Sequence, residues 1–204
     1  MADVKRSRKE QAAATRRRML DAAHGCFTAS GYPGTTMADI ARAADVAVQT
    51  LYFTFHSKAE LLGEVFERAV TGDGGGPPPL QDWHREAEAT EDLDDALRLW
   101  VAGVGEIVAR VAPLRPVFDG VEPDEDVVAL WVRGEQLREE GYGAFLDHLV
   151  DRHGLAPGVE RHELVDVALV LLGPVGHRGF VEDRGWPFEA WIALTIATLR
   201  RSFR

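Results

Sequence analysis

The chain of 204 residues carries 33 Asp and Glu against 23 Lys and Arg, a formal charge of −10, with 46% hydrophobic residues and one cysteine. Such a composition excludes wholesale disorder and a disulfide-stapled scaffold, and a lone thiol, Cys26, fits a reducing cytoplasm. Met1 to Arg6 lack the apolar run of a leader, and the longest apolar stretch, Val167 to Gly176, falls far short of the roughly 20 residues that cross a bilayer, so neither export nor membrane insertion is expected.

Charge is unevenly distributed. Residues 1–60 hold nine Lys and Arg against six Asp and Glu, whereas the remainder holds 14 against 27. A protein coated with nucleic acid over its whole surface is excluded, but a basic head on an acidic body is not.

Helical periodicity runs through the head. Met19, Ala22, Ala23, Cys26 and Phe27 recur at three- and four-residue spacing, which predicts a first helix over about residues 8 to 30, with Ser7 to Glu10 as its capping box, Gly31 past its end and Cys26 buried. Thr36-Met37-Ala38-Asp39 is a second capping box, opening a short helix whose apolar positions are Met37, Ile40, Ala41 and Ala44. After Asp45-Val46, a third helix carries Val48, Leu51, Tyr52 and Phe55. Ser57 to Glu60 then caps a fourth, with Leu61, Leu62, Val65, Phe66, Ala69 and Val70 on one stripe.

Gly72 to Pro79, GDGGGPPP, reads as a linker or surface loop, because glycines are costly to order and consecutive prolines cannot continue a helix. Beyond it, helical patterns span about 91 to 112, 124 to 153, 160 to 182 and 187 to 202, the third of these kinked at Pro174. Strand-like alternation is absent from the sequence.

Two short helices joined by a tight turn, the second with small and polar residues on its outer side, have the proportions of a helix-turn-helix. The run Thr35 to Leu62, TTMADIARAADVAVQTLYFTFHSKAELL, resembles the DNA-binding domain of the TetR family of transcriptional regulators. Thr36, Ile40, Ala41, Ala44, Val46, Thr50, Leu51, Tyr52, Phe55, Ser57, Lys58 and Leu62 fall where that family's pattern places them. Asp45 stands where the family usually has glycine in the turn, and Asp tolerates left-handed geometry better than most residues.

The resemblance implies an all-α fold, an N-terminal three-helix DNA-binding domain followed by a larger helical ligand-binding and dimerisation domain. The expected divisions are residues 1–56 for the arm and head, 57–71 for a connecting helix and 72–204 for the body. A recognition helix opening at Ala47, Val48, Gln49 and Thr50 enters the major groove. There Gln49 can pair with adenine, and Ala47, Val48 and the Thr50 methyl can pack on thymine methyls. Thr36 and Lys58, each at a helix start, are placed for phosphates. Tyr52 resembles the family's phosphate-contacting tyrosine, although a ring in the small core is the alternative, and His56 is a further backbone contact. Lys5, Arg6, Arg8 and Lys9 reach the DNA backbone or minor groove, or form a disordered solvated tail.

A head of this size reads too few base pairs alone, so the expected partners are a duplex operator, a second copy of the chain and a small-molecule effector. Leu164, Ala168, Leu171 and Leu172 with Trp191, Leu194, Thr195 and Thr198 give two apolar faces for a four-helix dimer bundle. Trp100, Val104, Ile107, Phe118, Trp131, Phe145, His148 and His177 are candidate pocket walls, and core packing is the competing explanation for each. No cofactor is expected. His162 with Asp166, and His148, Asp151 and His153, lack the further ligands at fixed spacing that a metal needs, and no nucleophile elbow or nucleotide loop is present, so the chain is not expected to be an enzyme. The leading expectation is a ligand-responsive repressor; the alternative is a helical small-molecule-binding or scaffold protein with a vestigial head.

Overall fold

The computed structural model describes residues 2–73, 76–119 and 124–204, whose regular elements are helices joined by turns and loops, with one isolated antiparallel bridge between Leu155 and Phe203. The chain forms two compact units: Met1–Arg68 together with Leu114–Trp131, and Ala69–Pro113 together with Val132–Arg204. Leu114–Trp131, a stretch expected in the body, thus groups with the head.

In the first unit α1 spans Ala2–Gly34, broken at Gly31, whose φ of 68° and ψ of 171° no other residue type adopts cheaply. Because the helix begins at Ala2, Ser7 to Glu10 lie inside it and do not cap its start. Met19, Ala23 and Phe27 are buried as their spacing requires, but Cys26 is only half-buried, its thiol pushed up by desolvation and then by Asp39. Next come α2 (Met37–Ala43), α3 (Val48–Phe55) and α4 (Lys58–Thr71). Arg16 ties α1 to its neighbours: its guanidinium donates to Glu64 Oε1 at 2.6 Å and lies 4.8 Å from the centre of the Phe55 ring. Arg68 donates to Asp21 Oδ1 at 2.7 Å.

In the second unit a short 3-10 turn, Pro78–Leu80, precedes α5 (Asp82–Ala89), a helix the periodicity does not reveal. Only His84 and Ala87 are buried in α5, too few positions to make a stripe. Asp92 caps α6 (Leu93–Val111), its carboxylate accepting from the Asp95 N–H at 2.9 Å. After the 3-10 turn Ala112–Leu114 come α7 (Arg115–Asp119), in the first unit, and α8 (Glu125–His153), which begins there and continues into the second. The chain closes with α9 (Arg161–Leu171), α10 (Pro174–His177) running into a π-turn at Arg178–Glu182, and α11 (Phe188–Arg200). The core stacks Trp100 on Phe145 at 4.8 Å and surrounds them with Tyr142, Leu146, Leu164, Ala168, Leu172 and Trp191.

The expected break at Pro174 is present as a bend of 50° between α9 and the segment that follows. It frees carbonyls at the end of α9, and buried carbonyls need donors. Arg138 Nη1 serves Leu169 O at 2.9 Å, Trp191 Nε1 serves Leu171 O at 2.9 Å, and Tyr142 Oη serves Leu172 O at 2.6 Å. Gly176 closes the same corner, where a Cβ would press on Leu171 O and stand 2.7 Å from Val170 O. Gly176→Ala is therefore expected to cost about 1 to 3 kcal/mol through overpacking against backbone. Chemical denaturation checks this, and an unchanged midpoint would contradict the packing described.

Candidate nucleic-acid interface

The helix-turn-helix is assembled by local chemistry. Thr36 caps α2, its hydroxyl accepting from Asp39 N–H at 3.1 Å and donating to Asp39 Oδ2 at 2.5 Å, while the Thr36 N–H reaches the same carboxylate. Thr36 and then Arg42 hold the Asp39 carboxyl below its ordinary range. The other end of α2 is a complete Schellman cap: Asp45 N–H donates to Arg42 O and Val46 N–H to Ala41 O, at 3.3 and 3.0 Å. Asp45 occupies the left-handed position with φ 53°, so Asp meets the turn's demand where glycine is the usual solution.

In α3, Leu51 and Phe55 are buried in the head while Ala47, Gln49, Thr50 and His56 are exposed and Val48 is half-buried. Tyr52 is 48% exposed, which sets aside the reading of its ring as core. Phe53, a residue not singled out from the sequence, is 86% exposed on the same helix. It could have been found there, since a helix that buries positions 51 and 55 must turn position 53 outward. His56 has φ 55° and ψ −46°, and the Ser57 N–H to Phe55 O contact of 2.5 Å closes a tight turn about it.

Lys58 begins α4, but its ammonium is already engaged. Nζ donates to Tyr32 O at 2.8 Å and Thr35 O at 3.1 Å, and sits 3.9 Å from the centre of the Tyr32 ring. An ammonium has three N–H groups, so at most one remains for a phosphate. The Tyr32 hydroxyl in turn donates to Asp124 Oδ2 at 2.9 Å, just before α8. Burial and then this carboxylate hold the phenol well above its ordinary range. Thr35 completes the junction, its hydroxyl bonding Gly31 O at 2.7 Å and Cys26 O at 3.0 Å. One node thus joins α1, the start of α2, α4 and the entry to α8.

The expected pocket residues do not converge. Trp100, Val104 and Phe145 are core, and Ile107 is buried in α6. His148 Nε2 pairs with Glu88 O at 2.9 Å, and His177 meets the Trp191 ring edge-on at 5.3 Å. Phe118 and Trp131 do come together, in the first unit, 5.0 Å apart with Phe66 packed on both. With Arg115, Val127 and Val128 they line a cleft of about 160 Å³.

The expected dimer faces need a similar correction. Leu164, Ala168, Leu172, Trp191 and Thr195 are buried within the single chain, because the α9 and α11 faces richest in large side chains pack on α6 and α8. Leu171, Leu194 and Thr198 are half-buried. The apolar side chains that α9 turns to solvent are Val167 and Val170, 39% and 59% exposed. Among the described residues no group of three or more His, Cys, Asp and Glu is placed to hold a metal ion, and no single helix is long and apolar enough to cross a membrane.

Capped α2, a left-handed turn and an α3 whose outer side is exposed define a helix-turn-helix head on a helical body. Residues 19–65 match the family described as bacterial regulatory proteins, tetR family. A stretch of 69 residues is 33% identical to the HTH-type transcriptional regulator AcrR of Shigella flexneri, covering 34% of this chain and 32%, about a third, of that protein's length. The fold is similar to NalD of Pseudomonas aeruginosa, the secondary repressor of the MexAB-OprM multidrug efflux pump, with TM-score 0.72, 19% identity and coverage of 95% of this chain and 98% of that one. It is likewise similar to the fatty acid degradation regulator FadR of Bacillus halodurans, with TM-score 0.70, 15% identity and coverage of 91% and 94%.

Two stability outcomes follow from the head's geometry. Asp45→Gly is expected to stabilise the protein by about 1 kcal/mol, by relieving left-handed strain, provided the cap is retained. Lys58→Met is expected to cost about 1 to 3 kcal/mol, because it removes the ammonium donor from the Thr35 carbonyl and leaves the Tyr32 carbonyl with the Thr35 N–H. Thermal unfolding reads both, and a neutral Lys58→Met would show that the junction does not depend on the ammonium.

Proposed function

We propose that this chain is a cytoplasmic, homodimeric transcriptional regulator that binds a palindromic duplex operator and acts as a ligand-responsive repressor. The observation that carries the reading is the division of α3: Leu51 and Phe55 anchor it, leaving Gln49, Thr50 and Tyr52 exposed together. Gln49 would read adenine and Ala47, Val48 and the Thr50 methyl would meet thymine methyls. Tyr52, His56, Arg42 and the Thr36 end of α2 would meet the DNA backbone, with Lys58 holding that end in place. Repression is supported by the likeness to NalD, itself the secondary repressor of a multidrug efflux pump.

Pairing is supported by the solvent side of α9 and α11. Val167 and Val170 are exposed, and α11 adds exposed Ala193 and Ala197 beside half-buried Leu194, a face without large charged side chains at its centre. Two heads so joined would read half-sites about 34 to 36 Å apart, or a multiple of that spacing. Effector response is supported by the cleft of Arg115, Phe118, Val127, Val128 and Trp131, which lies on the segment that also carries Asp124. At about 160 Å³ it suits a small, largely apolar molecule or must widen for a larger one. A ligand that favours an arrangement with misplaced heads must weaken DNA binding, and DNA must weaken the ligand reciprocally.

Selection from randomised duplexes by the purified full chain tests the reading. A palindrome is expected from the wild type, with Gln49→Ala relaxing one position per half-site by about 1 to 3 kcal/mol. No enrichment even at low salt would overturn it. Val170→Glu is expected to shift the protein from dimer to monomer in sedimentation and to lower operator affinity with it; a dimer that persists would move the interface elsewhere.

A further inference from the structure

Among the described residues Phe53 is the most exposed large apolar side chain, at 86%, and it sits in the middle of α3. Folding does not require it there, since Leu51 and Phe55 on the same helix already anchor the head. Position 53 lies four residues after Gln49 and three after Thr50, so all three share one stripe of the helix. A phenyl ring has no donor or acceptor and cannot pair with base edges or phosphate oxygens. What it can take is apolar surface, and the major groove of a duplex offers this as the C5-methyl of thymine.

A second protein is a poorer match. A stable interface buries about 800 Å² on each partner, whereas one aromatic side chain supplies about 150 to 250 Å². On α3 the other aromatics are Tyr52, half-exposed, and Phe55, which is buried. The surroundings suit a polyanion instead: residues 1–60 carry a basic excess, and Arg42, 76% exposed, stands at the end of the neighbouring α2.

We propose that Phe53 is a specificity-determining residue that packs on a thymine methyl in the same half-site as the base read by Gln49. This rests on the DNA-binding reading of α3 above, and goes beyond it by naming a residue and a base feature. The contact is apolar, so it adds affinity without releasing counterions and leaves the salt dependence to the phosphate contacts.

The experiment uses the full chain, the duplex recovered by selection, and the same duplex with deoxyuridine replacing thymine one position at a time, which removes only the methyl. For the wild type, each thymine whose methyl is contacted is expected to lose affinity on this replacement, and the one under Phe53 to lose roughly tenfold. Phe53→Ala is expected to bind the thymine duplex roughly tenfold more weakly, to distinguish thymine from deoxyuridine there no longer, and to keep the slope of log affinity against log salt. Phe53→Leu, which retains apolar bulk, is expected to keep part of the discrimination. Because the side chain is exposed, thermal unfolding of both variants should match the wild type. A Phe53→Ala protein that discriminates thymine from deoxyuridine as the wild type does at every position overturns the proposal while the DNA-binding reading stands. A wild type that binds no duplex at low salt overturns that reading and the proposal with it.

Discussion

The ammonium of Lys58 joins the start of α4 to the chain where α1 gives way to α2. It gives hydrogen bonds to the carbonyl of Thr35 and to that of Tyr32, which also accepts from the Thr35 N–H, just past the break of α1 at Gly31, and rests on the Tyr32 ring. Burying a cation is costly unless its donors are satisfied and its charge is met. Two carbonyls, a π face and the field of Asp124 meet it here, although desolvation still pulls the ammonium below its ordinary range. The consequence is positional: residue 36, where α2 begins, is fixed relative to α1 and α4, and with it the helix on which α3 turns.

The same node reaches the segment 114–131 through the Tyr32 hydroxyl and Asp124. That segment also carries Arg115, Phe118 and Trp131, the walls of the small cleft, and its last helix runs on as the body of α8. A change in the cleft therefore has a short, named route to the start of α2: Trp131 and Phe118, the turn of α8 at Asp124, Tyr32, then Thr35. Under the proposed function this route is where effector and operator compete, because both bias the arrangement of one hydrogen-bonded junction.

The head was largely legible in the sequence because its signals are local. Thr36 and Asp39 form the capping box their spacing predicts, Asp45 takes the left-handed position, and Leu51 and Phe55 are buried on one stripe. Other features depend on which neighbour a side chain finds. Lys58 looks like a solvent-facing cation at a helix start, and only the fold brings two carbonyls to it. Leu164, Ala168 and Trp191 form an apolar stripe whose partner, another copy or the chain's own core, is invisible to periodicity. Trp100 and Phe145 look like pocket walls until they stack on each other. Segment 114–131 could not be assigned to the head, since that grouping rests on contacts between distant residues such as Tyr32 and Asp124.

Under the proposed function, operator binding depends on the junction at Tyr32. The most direct measurement is a double-mutant cycle of Tyr32→Phe and Asp124→Asn, read as affinity for the selected duplex with thermal unfolding followed in parallel. Each single change is expected to weaken binding about tenfold, and the double variant to be no weaker than either, since both remove one shared hydrogen bond. Two single variants with wild-type affinity, or losses that simply add, would contradict the claim and leave the junction as a structural contact without influence on the reading of DNA.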